Sequence, residues 1–245
     1  MSSHESCLVS KLSNYIAIDD TGLDLLARLE EDEETHPAQT AIRETGDRIE
    51  HLHVVKKGWL FSGMELPDGR RQIVQVHHAG DIIGMPDIAL DRAALNLHSV
   101  TEAVLCPFPK KHLDKIFFDS PRLIALLFTL SLRDQVVFTD KLRSVGRMSA
   151  RERVAYFLLD IAHRLRMTNS GMGSTFRLPM TQTEIGDATA LTSVTISKTM
   201  MQLQLDKLID RREGKITLCD EAALTTMCDY VDRYGDMDTS WFPER

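Results

Sequence analysis

The sequence lacks several features that define common classes of protein. Its four cysteines form no CxxC pair and no secretory signal precedes them, so we expect a reduced, cytoplasmic protein. No apolar run approaches the length needed to cross a bilayer, so no membrane partner is expected. P-loop, nucleophile-elbow and HExxH motifs are also absent, and we predict neither an enzyme nor a bound metal or cofactor.

An excess of positive charge is missing as well. The chain has 29 Lys and Arg residues against 36 Asp and Glu residues, a formal net charge of −7. This charge is unevenly distributed, because residues 1–146 carry −6 and residues 219–245 carry −5, whereas residues 147–218 carry +4. We therefore expect the basic segment to be the part of the chain that meets a polyanion.

The N-terminal half contains helical and then extended patterns. Residues 5–34 have a helical pattern that ends in an acidic run, which we interpret as a solvated helix end. Between residues 36 and 108, short apolar segments separated by turn sequences predict an antiparallel jelly roll: EHLHVV, WLFSGMEL, RQIVQVHH and HSVTEAVLCPF. Gly69 in ELPDGRR suits the positive φ of a hairpin turn.

One long helix is predicted after the extended segments. Asp119 or Ser120 can cap it, Pro121 suits its first position and Gly146 marks its end. Apolar residues lie along it at helical spacing and must be buried against something. We expect a second copy of the chain to cover them, rather than the chain's own residues alone, through Leu123, Leu127, Leu130 and Val137.

The stretch TQTEIGDATALTSVTISKTMMQL, residues 181–203, predicts two short helices. Thr181 and Glu184 form a capping box for the first, and Thr192 can cap the second. The flank of the second helix that stays exposed carries small hydroxyl groups and one cation, which suits the major groove of DNA. The predicted DNA contacts here are Thr181, Gln182, Thr192, Ser193, Val194, Ser197 and Lys198.

A charged hairpin is predicted after these helices. LIDRREGKITL has two extended runs around Glu213 and Gly214. Its cations Arg211, Arg212 and Lys215 lie near the turn, where they can contact phosphates. Capping box, helix spacing, local basicity and hairpin together favour DNA binding over an ordinary helical pair.

These features resemble the Crp/Fnr family of bacterial transcription regulators, above all in MSARERVAYFLL, LPMTQTEIGDATALTSVTISKTMMQL and GWLFSGMELPDGRRQIVQVHHAGDIIG. The resemblance implies an α+β protein with a cyclic-nucleotide-binding-like jelly roll over 1–118 and a dimerisation helix and hinge over 119–146. A winged helix-turn-helix with an acidic tail would follow over 147–245. It further implies a homodimer on a near-palindromic operator in double-stranded DNA, with RNA polymerase and an unknown small-molecule effector as candidate partners.

The sequence departs from the family pattern in the reading helix. Val194 stands where many relatives place a carboxylate that accepts a hydrogen bond from cytosine, and a valine can contact a thymine methyl group instead. Lys198 replaces a common arginine, and Ala190 replaces the usual turn glycine. The operator therefore cannot be copied from a relative.

The effector region departs further. Cyclic-nucleotide-binding members use a glutamate and an arginine, but here Met85 follows Gly84 at the glutamate position and Arg92 comes too early. We therefore expect cyclic AMP not to control the protein. The alternative is a shortened cassette that uses Gly84, Met85 and Arg92. The cysteine cluster of the iron–sulfur branch is absent, because Cys7 stands alone.

The histidines and the rival functions complete the sequence-based hypotheses. His51 and His53 would share one strand face, and His77 and His78 would lie on opposite faces; we expect polar histidines on the outer faces of the sandwich, not a metal site. A jelly-roll metalloenzyme of the cupin type is the main rival, although Lys56 stands where it needs a glutamate. A second rival is a sensor that works only through protein contacts.

Overall fold

The computed structural model describes residues 6–244. The chain forms two compact units. The first comprises the described residues up to Glu65, Val74–Asp134 and the chain from Asp236 onward, and the second comprises Leu66–Ile73 and Gln135–Gly235. The units therefore divide inside the predicted long helix, while the functional boundaries after residues 118 and 146 stay a prediction.

The N-terminal half of the chain is a jelly roll with flanking helices. Its helices are α1 (Cys7–Leu12), α2 (Asp20–Arg28) and α3 (His112–Asp119), with a 3-10 turn at Met85–Ala89. Its strands are β1 (Glu34–His36), β2 (Ala41–Arg43), β3 (His51–Lys57), β4 (Trp59–Glu65), β5 (Arg71–His78), β6 (Ile82–Ile83), β7 (Asn96–Ser99) and β8 (Ala103–Pro109).

Two four-stranded sheets make up the jelly roll, with strand orders β1-β8-β3-β6 and β2-β7-β4-β5. Side chains alternate across a strand, so β3 serves two apolar clusters. Leu52 and Val54 pack with Phe108 against the flanking helices, whereas Val55 packs with Leu60 of the other sheet. Both faces of the first sheet are thus covered.

Two of the predicted segments are wrong in detail. Residues 5–34 are not one helical stretch, because the Asp19 side chain accepts a hydrogen bond from Gly22 N and starts a separate helix. The acidic run ends in β1 rather than at a helix end. HSVTEAVLCPF forms parts of two strands, because the chain turns between Ser99 and Ala103 and Val100 N bonds to Trp59 O at 2.7 Å.

The long helix α4 (Pro121–Arg147) has the predicted start, and it ends one residue after Gly146. Its residues contribute to both units. Among residues 6–244, no helix combines the length and apolar character that a membrane span requires.

The second unit continues with helices and a small sheet. Its helices are α5 (Ala150–Arg166), α6 (Gln182–Thr189), α7 (Ser193–Leu205) and α8 (Glu221–Cys228). Its strands are β9 (Thr175–Arg177), β10 (Ile209–Arg212) and β11 (Lys215–Leu218), which pair antiparallel in the order β10-β11-β9. This is the predicted helical pair followed by a wing.

Residues 236–244 belong to the first unit, and two of their side chains reach its core. Phe242 is only 4% exposed and lies in the same apolar cluster as Leu123 and Leu126 of α4. Met237 packs against this cluster, and Arg122 Nη1 donates to Pro243 O at 3.3 Å. The acidic tail assigned to the DNA-binding domain therefore packs, in its last part, with the first unit.

Candidate nucleic-acid interface and jelly-roll interior

Capping interactions fix the ends of α6 and α7. Glu184 N donates to Thr181 Oγ1 and Thr181 N donates to Glu184 Oε2 at 2.7 Å, which completes the predicted capping box. Thr195 N donates to the hydroxyl of Thr192 at 3.2 Å and caps α7. The hydroxyls of Thr181 and Thr192 are thus occupied at helix ends, whereas the side chain of Gln182 is exposed.

The turn between these helices is close and slightly strained. A Cβ atom at Gly186 would lie 2.4 Å from Leu191 O, so only glycine permits this approach. Ala190 has the left-handed conformation at φ 55°, which an alanine adopts at a cost of about 1–2 kcal/mol. Ile185 and Ile196 are buried between the helices. The geometry leaves one flank of α7 facing solvent.

That flank carries the predicted reading residues. Ser193, Val194, Ser197 and Lys198 are all exposed, with Val194 at 61%. The three polar side chains make no hydrogen bond or ion pair with any residue between 6 and 244. Short hydroxyls, a methyl surface and one ammonium group on one helical flank are able to contact base edges in a major groove.

The wing separates its three cations between two faces. Arg212 and Lys215 are direct cross-strand partners beside the turn at Glu213 and Gly214. Arg211 instead lies opposite the buried Ile216, so it is on the other face of the sheet. Arg212 and Lys215 are exposed and Arg211 is half-buried. Sequence spacing alone does not distinguish the three.

The predicted dimerisation residues of α4 are covered by the chain itself, and their role in a dimer stays a prediction. Leu123 and Leu127 belong to the core cluster of the first unit, and Leu130 packs against it. Val137 is also buried. Helical spacing identifies the apolar face but cannot identify what covers it, because the sequence does not show which neighbours pack there.

A different face of α4 is exposed and apolar. Five large apolar side chains are exposed there: Phe128, Leu132, Val136, Phe138 and Leu142. At 3.6 residues per turn, these five side chains lie within about half of the helix circumference. The exposed polar side chains of Gln135 and Thr139 lie among them. A cluster of large exposed apolar side chains of this kind indicates a protein contact.

Of the predicted effector residues, Arg92 does not bond to the other two. Gly84 has φ 99° and precedes the 3-10 turn, while Met85 packs against the core cluster of the first unit. Arg92 is exposed and donates from Nη1 to Gly46 O at 2.8 Å. No hydrogen bond or ion pair within residues 6–244 joins Arg92 to Gly84 or Met85.

Arg43 and Asp87, which sequence reasoning missed, occupy this region instead. Arg43 is 9% exposed and its Nη2 lies 2.8 Å from Asp87 Oδ2, itself buried. Arg43 Nη1 lies 3.8 Å from the position that a Cβ atom would occupy if Gly84 carried a side chain. Burial, with further contributions from Arg43, His51 and His36, lowers the pKa of His53 to about 4. The charged residue Arg43 in the predicted sandwich could have indicated a buried ion pair, but its partner Asp87 lies 44 residues further along the chain.

The prediction that the histidines lie on outer faces is wrong for His77 and His78. Both are buried. His77 Nε2 lies 2.7 Å from Ser62 Oγ, and the ring of His78 contacts Trp59 edge-on. No group of three metal-ligating side chains occurs within the described part of the chain.

Comparison with known proteins agrees with this architecture. Residues 33–120 match the family model of the cyclic nucleotide-binding domain, and residues 152–227 match that of the Crp-like helix-turn-helix domain. The structure of FixK2 from Bradyrhizobium japonicum superposes with a TM-score of 0.73, covering 82% of this chain and 98% of that chain at 24% identity. That likeness shows the fold.

Curated relatives identify the family. The nitrogen fixation regulation protein FixK of Rhizobium meliloti is 31% identical over 184 residues, 75% of this chain and 81% of the relative. FixK of Bradyrhizobium diazoefficiens is 33% identical over 162 residues, 66% of this chain and 67% of the relative. The chain belongs to the Crp/Fnr family of DNA-binding transcription regulators. Its relatives are regulators, which confirms the prediction that it is not an enzyme.

Proposed function

We propose that the protein is a homodimeric regulator that reads a near-palindromic operator through α7 and is not controlled by cyclic AMP. The observation that carries the proposal is the exposed flank of α7, where Ser193, Ser197 and Lys198 have no partner in residues 6–244. Polar groups left free in this way are available to base edges.

Each reading residue has a distinct chemical role. Lys198 donates to a base edge or the adjoining phosphate, and Val194 offers a methyl surface to thymine. The hydroxyls of Ser193 and Ser197 are short, so they reach bases only when the helix lies deep in the groove. The helix N-termini at Thr181, Gln182 and Thr192 favour phosphate through backbone N–H groups.

The exposed face of α4 supports the dimer. A second copy would cover the five apolar residues of this face with the same five residues, as two-fold symmetry requires. Two copies then present two α7 helices to half-sites about one helical turn apart. Binding to DNA in turn supports a cytoplasmic location, and RNA polymerase is a candidate partner of the promoter-bound dimer.

The arrangement of the effector region supports independence from cyclic nucleotides. Arg92, the arginine available to a shortened cassette, bonds to Gly46 O at the surface. The buried guanidinium of Arg43 is already paired with Asp87. Asp87 occupies Nη2 of this guanidinium, while Nε and Nη1 of Arg43 have no hydrogen-bond partner among residues 6–244. Control by another small-molecule effector is compatible with this arrangement.

Selection from random duplex DNA tests the proposed reading. The expected result is an enriched, near-palindromic site whose profile relaxes at one position of each half-site with Lys198→Ala, at a cost of about 1–3 kcal/mol. Arg212→Ala should weaken all sequences about equally. An unenriched pool, or a profile changed by Arg212→Ala and not by Lys198→Ala, contradicts the assignment of α7.

A charge substitution tests the dimer. Glutamates at both Leu132 and Leu142 should yield monomers in sizing experiments and abolish specific DNA binding. Val231→Glu is the matched control, because Val231 is 45% exposed, close to the 42% of Leu132, and lies outside α4. A wild-type monomer at micromolar concentration would contradict the dimer.

A further inference from the structure

Three cations form a single row across the wing sheet. Arg212 of β10 is directly opposite Lys215 of β11, and Lys215 is directly opposite Arg177 of β9. Directly opposed residues share a face of the sheet, and all three are exposed. The row lies at the end of the sheet next to the turn at Glu213 and Gly214.

This arrangement is unfavourable in the free protein. Like charges placed directly opposite one another on neighbouring strands destabilise a sheet. Arg212 has a carboxylate nearby, with its Nε 2.8 Å from Asp210 Oδ2. Arg177 and Lys215 form no ion pair within residues 6–244. Two neighbouring exposed cations without a counter-charge are available to an external anion.

The other residues on this face of the wing sheet restrict the shape of the anion that can bind there. In the next row, Thr175 and Thr217 share a hydrogen bond of 2.8 Å between their hydroxyls, opposite Asp210. The positive charge is therefore confined to the row beside the turn. Neighbouring strands are about 4.8 Å apart, so the row spans about 10 Å. DNA carries one charge per about 1.7 Å of its axis, which provides several phosphates over that length.

We propose that Arg177, Lys215 and Arg212 form one phosphate-binding row, which adds β9 to the DNA-contacting part of the wing. The inference rests on the proposed function, because it requires that the second unit binds DNA. Arg177 lies outside both the helix pair and the hairpin, and only the strand register brings it beside Lys215. The row binds backbone and carries no base preference.

The test is the salt dependence of binding by Arg177→Ala, measured on the selected operator and on a random duplex. The slope of log affinity against log salt should fall by about 0.9 for each phosphate that the variant no longer neutralises, or about 1.8 in a dimer. Each such phosphate also reduces the affinity change between about 50 and 200 mM salt by about threefold. Both duplexes should respond equally, and the melting temperature should not fall, because a like-charge neighbour is removed.

Two variants of β9 serve as controls. Arg177→Lys should keep the slope, because a phosphate interaction of this kind needs the charge. Thr175→Ala should also keep it, because Thr175 is on the same strand and face without a charge. An unchanged slope in Arg177→Ala, a lowered melting temperature or an altered base preference would each overturn the row. If Lys198→Ala still weakens the operator, the proposed function survives that outcome; if neither variant has an effect, both proposals fail.

Discussion

Polar side chains are used in opposite ways by the reading helix and by the interior of the jelly roll. On α7, Ser197 and Lys198 face solvent and have no partner among residues 6–244. In the jelly roll, Arg43 and Asp87 are buried and paired with each other at 2.8 Å. The first pair of side chains is available to an external ligand, whereas the second forms an ion pair inside the chain, with Nε and Nη1 of Arg43 left without a hydrogen-bond partner among residues 6–244.

Because of this difference, substitutions on α7 should change DNA binding, whereas substitutions of the buried pair should change the stability of the fold. Replacing an exposed side chain without a partner changes the free energy of unfolding very little, so its effect should appear in DNA binding alone. Removing one partner of a buried ion pair leaves an uncompensated charge, so the effect should appear in folding. Four measurements test this difference between α7 and the interior of the jelly roll.

The largest expected effect is on the buried ion pair. Asp87→Ala should lower the free energy of unfolding by about 3–5 kcal/mol, because it leaves the Arg43 guanidinium buried without its counter-charge. Urea denaturation measures this loss. Replacing both residues, as Arg43→Met with Asp87→Leu, should recover most of it. Ser197→Ala is the control from α7 and should change stability by less than about 0.5 kcal/mol; equal effects of the two single variants would refute the comparison.

A change of base preference is expected from Val194. Val194→Glu introduces an acceptor for the cytosine N4 amino group, so preference at one position of each half-site should move from thymine to cytosine by about 1–3 kcal/mol. Competition binding with operators that differ at that position measures this. Val194→Ala should lose the thymine preference without gaining cytosine. A large fall in the melting temperature of either variant would contradict the exposed position of Val194.

A smaller effect is expected from pH. The pKa of His53 is lowered from 6.5 to about 4, first by burial and then by Arg43. The unfolded chain therefore binds the proton more readily, so this contribution to stability is complete above pH 6.5 and is lost as pH falls towards 4. Between pH 7 and 5.5 the loss should be about 1 kcal/mol.

Denaturation at several pH values measures the contribution of His53. His53→Gln should reduce the pH dependence in this window, whereas His51→Gln should retain it because His51 is exposed. A wild-type protein that becomes more stable between pH 7 and 5.5, with His53→Gln removing that gain, would show the opposite sign.

The smallest expected effect is that of cyclic nucleotides. Cyclic AMP and cyclic GMP should not change the melting temperature, because Met85 and the surface position of Arg92 remove both polar anchors. A ligand at 100 times its Kd would add about 2.7 kcal/mol to stability. Linear AMP controls for ionic strength. A concentration-dependent rise specific to the cyclic nucleotides would contradict this prediction, since it would show that the interior of the jelly roll binds a ligand.

Local chemistry explains which parts of the fold could be predicted. The Thr181–Glu184 capping box and the start of α4 at Pro121 depend on residues within one turn, and both occur as expected. The family match extends to the jelly roll and the helix-turn-helix. These features need no knowledge of distant neighbours.

Features that depend on distant neighbours could not be predicted. Strand alternation predicts opposite faces for His77 and His78, but it does not tell which face becomes buried. Helical spacing places Leu127 on an apolar face of α4, but it does not show that residues of the same chain pack against this side chain. The pairing of Arg43 with Asp87 joins segments far apart in sequence, and the neighbourhood of Arg177 and Lys215 depends on register.

The position of Phe242 affects the order in which the two units can complete their folding during translation. Domains generally fold as units, N-terminal first, while the chain leaves the ribosome. Here the apolar cluster that contains Leu8 and Leu123 also contains Phe242, which is translated after the entire second unit. The first unit is therefore synthesised first but completed last. Its core stays incomplete during translation until Phe242, which follows the helix-turn-helix, has been synthesised.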